Sequence, residues 1–125
     1  MISMTLQELY ASIGGSYAQA TRVLRVDRLV DKHIRRFVAN GVIDQLLEAC
    51  KTLEPKQMFE AAHAAKGVCG NLGLVELADI SSELAEEFRP GNARRLTDDQ
   101  VRQKADRLAE VYRKTVEGIN AYAGA

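Results

Sequence analysis

The stretch Ala61 to Leu74 reads A-A-H-A-A-K-G-V-C-G-N-L-G-L, and its reading decides that of the whole chain. Small and apolar residues recur through it at helical spacing. Glycines nevertheless stand at positions 67 and 70 inside the run, and at 73 where it ends. A glycine in a helix interior costs about 1 kcal/mol relative to alanine. Two of them beside a histidine are a tolerated cost, and what they leave is a patch of surface bare of side chains.

Helical phase places that patch. With an advance of about 100° per residue, Met58, Ala62, Ala65, Cys69 and Leu72 fall within roughly 80° of arc and form the core-facing stripe. His63 lies about 140° from the centre of that stripe and points to solvent, with Phe59, Lys66, Gly67 and Gly70 within roughly 60° of it. Lys56 and Glu60 complete the outward face. On this reading the Phe59 ring faces water. An exposed ring beside a glycine-flattened surface points to a docking site for another protein. An ammonium one turn from the imidazole is placed to neutralise a dianion carried there. His33 has no such surroundings. It sits at the edge of its own helix's apolar stripe, followed by Arg36 and Phe37, and reads as an ordinary surface or core-edge residue.

Outward from this stretch the helical period continues in both directions and nothing alternates as a strand does. Pro55 stands where the His63 helix begins, a position that tolerates its missing N–H. Before it, Val42, Ile43, Leu46, Leu47, Cys50 and Leu53 mark one helix. Leu29, Val30, Ile34, Phe37 and Val38 mark another from Asp27, which Asn40-Gly41 ends or bends. A short segment over Tyr17 to Leu24 and a first helix over Thr5 to Ser12 precede these, separated by Gly14-Gly15. After the histidine stretch, Leu77, Ile80, Leu84 and Phe88 define a helix from about Leu74 to Phe88, stopped by Arg89-Pro90-Gly91-Asn92. The last helix opens on a capping box, Thr97 with Gln100, and Asp98 and Asp99 suit the positive end of its dipole. Its stripe is Val101, Ala105, Leu108, Tyr112, Thr115, Ile119 and Tyr122. Short connections between successive helices imply antiparallel neighbours. The expected fold is all-α, an antiparallel up-and-down four-helix bundle with additional short N-terminal helices. Residues 1–125 are read as one domain, with 1–25 as an N-terminal helical cap and 26–123 as the helical bundle.

A chain of 125 residues supports one core. Seventeen basic and seventeen acidic residues give no net charge, which argues against nucleic acid as the main partner. No apolar run approaches the roughly 20 residues of a membrane span, and no signal-peptide pattern opens the chain. A soluble, cytoplasmic monomer is expected. Cys50 and Cys69 fall at apolar helical positions and read as reduced core residues, since a disulfide or metal framework needs more cysteines or a recognisable spacing.

The run Phe59 to Leu74, F-E-A-A-H-A-A-K-G-V-C-G-N-L-G-L, resembles the signature of histidine-containing phosphotransfer (HPt) domains of bacterial phosphorelays. Gly14-Gly15-Ser16-Tyr17, Phe37, Leu46, Ala49 and the Leu77/Leu84 helix ending in E-E-F-R-P-G match the layout of small single-domain members; the final helix matches only in length and pattern. The resemblance implies a four-helix bundle in which His63 accepts a phosphoryl group from the aspartyl phosphate of a response-regulator receiver domain and passes it to another receiver. By match of motif, Lys66 would stabilise the phosphoryl group and Gly67 would leave room for the receiver, with Phe59, Glu60 and Gly70 in the docking surface. The implied partners are receiver domains, a hybrid histidine kinase, or both. Many members place a polar side chain, often glutamine, on the following helix near the histidine. This chain has Ser82, Ala85 and Glu86 there, and that role is unassigned.

The residue types fit this chemistry in their own right. Neutral imidazole is a good nucleophile and is abundant at neutral pH. Phosphoryl transfer rests on positioning and charge stabilisation, with Mg²⁺ bridging the oxygens. The chain shows no acidic cluster suited to Mg²⁺ and no nucleotide-binding motif. It is therefore expected to be a phosphocarrier without kinase activity or a cofactor of its own, the Mg²⁺ coming with the receiver. Two rival readings fit less well. Glu60-x-x-His63 has the spacing of a di-iron ligand pair, but such a site needs a second copy, and Val30 stands three residues before the only other histidine, His33. A non-phosphorylated adaptor or dimerisation bundle would have no need of histidine, lysine and glycine together.

Overall fold

In the computed structural model, which describes residues 3–124, every regular element is an α-helix. The outermost positions of the expected domain, 1, 2 and 125, lie outside the described residues. In chain order the elements are α1 (Leu6–Ser12), α2 (Tyr17–Leu24), α3 (Asp27–Phe37), α4 (Val42–Thr52), α5 (Pro55–Asn71), α6 (Val75–Glu87) and α7 (Asp98–Gly124). The periodicity of the sequence places each of them.

Local chemistry sets the boundaries. The Thr97–Gln100 capping box is formed in both directions: the Gln100 amide donates to Thr97 Oγ1 at 3.1 Å and the Thr97 amide to Gln100 Oε1 at 2.9 Å. Asn40-Gly41 ends α3 rather than bending it, because Gly41 caps α4 in the left-handed region, at φ +81°. Glu54 caps α5 by accepting from the amides of Lys56 and Gln57, with Pro55 in the first turn.

Packing follows from the apolar stripes. α5 lies between α4 and α6, and α7 touches α4 and α6, so these four form a closed ring of neighbours. α1 packs on α7, α2 on α5 and α3, and α3 on α7. The core runs through the ring: Ile43, Leu46, Met58, Ala62, Ala65, Cys69, Leu84, Val101, Leu108 and Ile119 are all essentially inaccessible. Both cysteines are free and buried, and burial raises their thiols to about 11 at Cys50 and about 12 at Cys69, so neither is a reactive thiolate. Among the described residues no helix is long and apolar enough to cross a membrane.

The end of α5 is fixed with particular care. The Leu74 amide donates to the Cys69 carbonyl at 2.9 Å and the Gly73 amide to the Gly70 carbonyl at 3.2 Å, the double bond pattern of a Schellman stop, with Gly73 at φ +69°. Gly73 is also held from outside the helix. The Ser16 amide donates to its carbonyl at 2.8 Å, and a Cβ at Gly73 would stand 2.2 Å from the Ser16 carbonyl oxygen. The buried Tyr10 hydroxyl donates to the Leu72 carbonyl at 2.5 Å. The Gly14-Gly15-Ser16 turn is thereby clamped onto the last turn of the His63 helix.

Candidate functional site

α5 buries Met58, Ala62, Ala65, Cys69 and Leu72, the stripe that helical phase assigns to the core. The opposite face then turns outward by geometry alone. His63, Lys66, Gly67 and Glu60 are exposed and Gly70 is half-exposed. These two glycines differ from those that the packing of the fold requires. A Cβ at Gly67 or Gly70 would meet nothing within 4 Å, whereas one at Gly73 or Gly118 would collide with a neighbouring element. Nothing within the chain requires glycine at 67 or 70. Both positions could carry alanine at a gain in helix stability.

Phe59 departs from expectation. Its ring is half-buried and packs against the core rather than facing water. The exposed part stacks on the His63 imidazole, with centroids 5.5 Å apart and planes 21° from parallel. The Arg89 guanidinium lies over the same phenyl ring, 5.3 Å from its centroid. Arg89 is held in turn by Glu86, whose Oε1 accepts from Arg89 Nη2 at 2.7 Å and Nε at 3.0 Å. Asn92 Nδ2 donates to the Glu86 carbonyl at 3.0 Å and fixes the turn after α6. The hydrogen bonds from Arg89, together with the positive charges of Arg89 and Lys66, hold the Glu86 carboxyl below its ordinary range. The imidazole thus sits at the edge of a chain of contacts running Glu86, Arg89, Phe59, His63.

Of the three α6 residues near the histidine, Ala85 is buried, Ser82 is half-buried, and Glu86 is the one tied into the charge network. Arg89 was legible in the sequence only as part of a helix stop. It stands sixteen residues after the Gly73 turn and Phe59 stands fourteen before it, so counting outward along the α5–α6 hairpin brings the two together. His33 is half-buried at the α3–α5 boundary, apart from this face. Among the described residues no group of three His, Cys, Asp or Glu side chains converges to hold a metal ion, and Glu60-x-x-His63 gains no inward partners.

What the face offers chemically is a nucleophilic imidazole held by its ring, an ammonium one turn away, and open space on the approach. A comparison with protein families matches residues 39–115, more than half of the chain, to the Hpt domain. That stretch spans α4, α5, α6 and most of α7, so α1–α3, Gly14 to Tyr17 and Phe37 lie outside it. No curated protein and no solved structure matches the chain.

Proposed function

This chain belongs to the Hpt domain family, and we propose that it is a phosphorelay intermediate whose phosphoryl group is carried on His63. An imidazole nitrogen attacks the phosphorus of a receiver's aspartyl phosphate. The N–P bond forms as the P–O bond to the aspartate breaks, and the carboxylate leaves with the bonding electrons. The same step in reverse, with a second receiver, discharges the carrier. The observation that carries this reading is the pair of glycines, Gly67 and Gly70, with open space where their side chains would stand beside an exposed histidine.

In this reading Phe59 sets the plane of the imidazole, and Arg89, held by Glu86, sets Phe59. Lys66 offsets the charge that arrives on His63, and Glu60 and Gly70 complete the docking surface. The divalent cation that phosphoryl transfer calls for is assigned to the receiver. The fold that goes with it is an antiparallel up-and-down bundle of α4–α7, with the N-terminal helices added. The protein works as a carrier whose contribution to catalysis is presentation, in the cytoplasm and as a monomer.

The test mixes the chain with a phosphorylated receiver domain and Mg²⁺. An acid-labile, base-stable label on the wild type that disappears in His63→Gln is expected. A label that persists in His63→Gln, or none on the wild type, would overturn the assignment.

A further inference from the structure

The basic side chains of this protein are not distributed evenly. On α7, Arg102, Lys104, Arg107, Arg113 and Lys114 each meet a carboxylate. On α3 only Arg35 does so among the described residues, to Asp31 at 2.8 Å. Arg28, Lys32 and Arg36 follow one another at four-residue spacing, and so form one stripe along α3 with no intramolecular acceptor among the described residues. Residues 22–36 hold six of the seventeen Lys and Arg but two of the seventeen Asp and Glu. A chain of zero net charge thus concentrates unneutralised positive charge on one helix.

The stripe ends at a cleft of about 400 Å³ between α3 and α5. Leu24, Phe37 and Val68 supply its apolar walls and His33, Arg36 and Asn71 its polar ones; no acidic side chain among the described residues lines it. Asn71 lies eight residues beyond His63 on α5, about 12 Å along the axis, with Gly67 midway between them. A Cβ at Gly67 would meet nothing within 4 Å, so no side chain stands at that midpoint.

We infer that this cleft is a second anchor point for the receiver that engages His63, taking a carboxylate side chain from it; this rests on the phosphorelay reading above. The chemistry is complementary at each element. A guanidinium without a partner forks onto a carboxylate, the Asn71 amide donates beside it, and the apolar walls take the methylene stem. A receiver that holds its divalent cation with carboxylates presents an acidic face, and an anchor about 12 Å from the phosphoryl acceptor fixes its rotation about His63. A single point of contact leaves that rotation free.

The test uses the whole chain and a panel of purified receiver domains charged with acetyl phosphate. Receivers that label the wild type are titrated against Arg36→Glu, Lys32→Glu and, as a control of equal charge change on α7, Arg102→Glu. Arg36→Glu is expected to raise the receiver concentration for half-maximal transfer about tenfold and to flatten the salt dependence, while the rate at saturation stays within about twofold. Arg102→Glu is expected to do neither. Wild-type concentration and salt dependence in Arg36→Glu would overturn the anchor and leave the phosphorelay reading intact. If no receiver labels the wild type, that reading fails, and the anchor is judged by titrating the same receivers onto ¹⁵N-labelled protein. Amide shifts at Arg36 and Asn71 that Arg36→Glu abolishes uphold the anchor, and their absence overturns it as well. Binding to phosphatidylglycerol vesicles that Arg36→Glu removes, with transfer unchanged, would give the cleft to a lipid surface and also overturn it.

Discussion

Phe59 and His63 stack one turn apart on α5, their ring centroids 5.5 Å apart, and the half-buried phenyl ring anchors the exposed imidazole. Phe59 therefore has two duties, and substitutions separate them. Phe59→Ala is expected to cost roughly 1–2 kcal/mol, less than a fully buried phenylalanine would, and to slow phosphotransfer. Phe59→Leu is expected to recover most of the stability and little of the rate, because it packs but cannot stack. Thermal melts and transfer kinetics on the same samples check this; equal recovery of both would deny the ring a part in placing the imidazole.

Gly67→Ala is expected to raise stability by up to about 1 kcal/mol, since a Cβ there meets nothing and alanine favours the helix. Gly67→Phe should leave the fold equally intact and abolish labelling by a phosphorylated receiver. Transfer at the wild-type rate in the phenylalanine variant would show that the open approach to His63 is not used.

Gly73→Ala should behave in the opposite sense. The new methyl group would require a left-handed backbone and stand 2.2 Å from the Ser16 carbonyl oxygen, so a loss of roughly 2–4 kcal/mol is expected, read by urea denaturation. A loss below about 1 kcal/mol would mean that the Ser16 turn yields without consequence.

Glu87 gives the fold a pH dependence. It is buried, and burial opposes its ionisation. The Arg95 and Leu96 amides, at 2.9 and 2.8 Å, and Arg94 Nε at 2.9 Å outweigh this and hold its carboxyl below the ordinary value. A carboxyl lowered in the folded state adds stability above its unfolded pKa and loses it as the pH falls through its folded pKa. Glu87→Gln is expected to be clearly less stable than the wild type at pH 7, with the gap closing on acidification. Urea melts from pH 7 to pH 3 test it; a gap that stays constant would remove ionisation from the explanation.

Arg25 closes a three-residue turn between α2 and α3, at φ +75° and ψ −48°, with the Val26 amide donating to the Leu24 carbonyl at 2.9 Å. This is the strained hand of that turn for a residue with a side chain. Arg25→Gly is expected to stabilise the fold by about 1 kcal/mol, seen as a higher melting temperature. A lower one would show that the Arg25 side chain contributes more than its backbone strain takes away.

Much of this was legible in the sequence, and the part that was not has a physical reason. Helix phase is a property of one element, so it placed Met58, Ala62, Ala65, Cys69 and Leu72 inside and His63 outside. Phase says nothing of how high a neighbouring helix rises at the edge of the stripe. Phe59 lies outside the stripe by phase, yet its ring is half-buried against the core and the Arg89 guanidinium lies over it. Glu87 read as one of two charged residues before a stop. It is buried because residues 94–96 fold back over it, an event more local to the loop than to the helix that carries it. Tyr10 lies in the short first helix, where nothing local marks it out, and its hydroxyl donates to a carbonyl sixty-two residues away.

The bond from Ser16 to Gly73 reaches from a part of the chain outside the family match to the end of the helix that carries His63. The segment that can be recognised and the segment that is mechanically whole are thus different segments. A fragment begun at Ala39 would keep every residue of the signature and give up the Ser16 and Tyr10 donors to the last turn of α5. Its Leu72 and Gly73 carbonyls would be left to water, and the helix would loosen from the end nearest Gly70. A trimmed version made by following the signature would cut the joint that keeps the histidine helix taut.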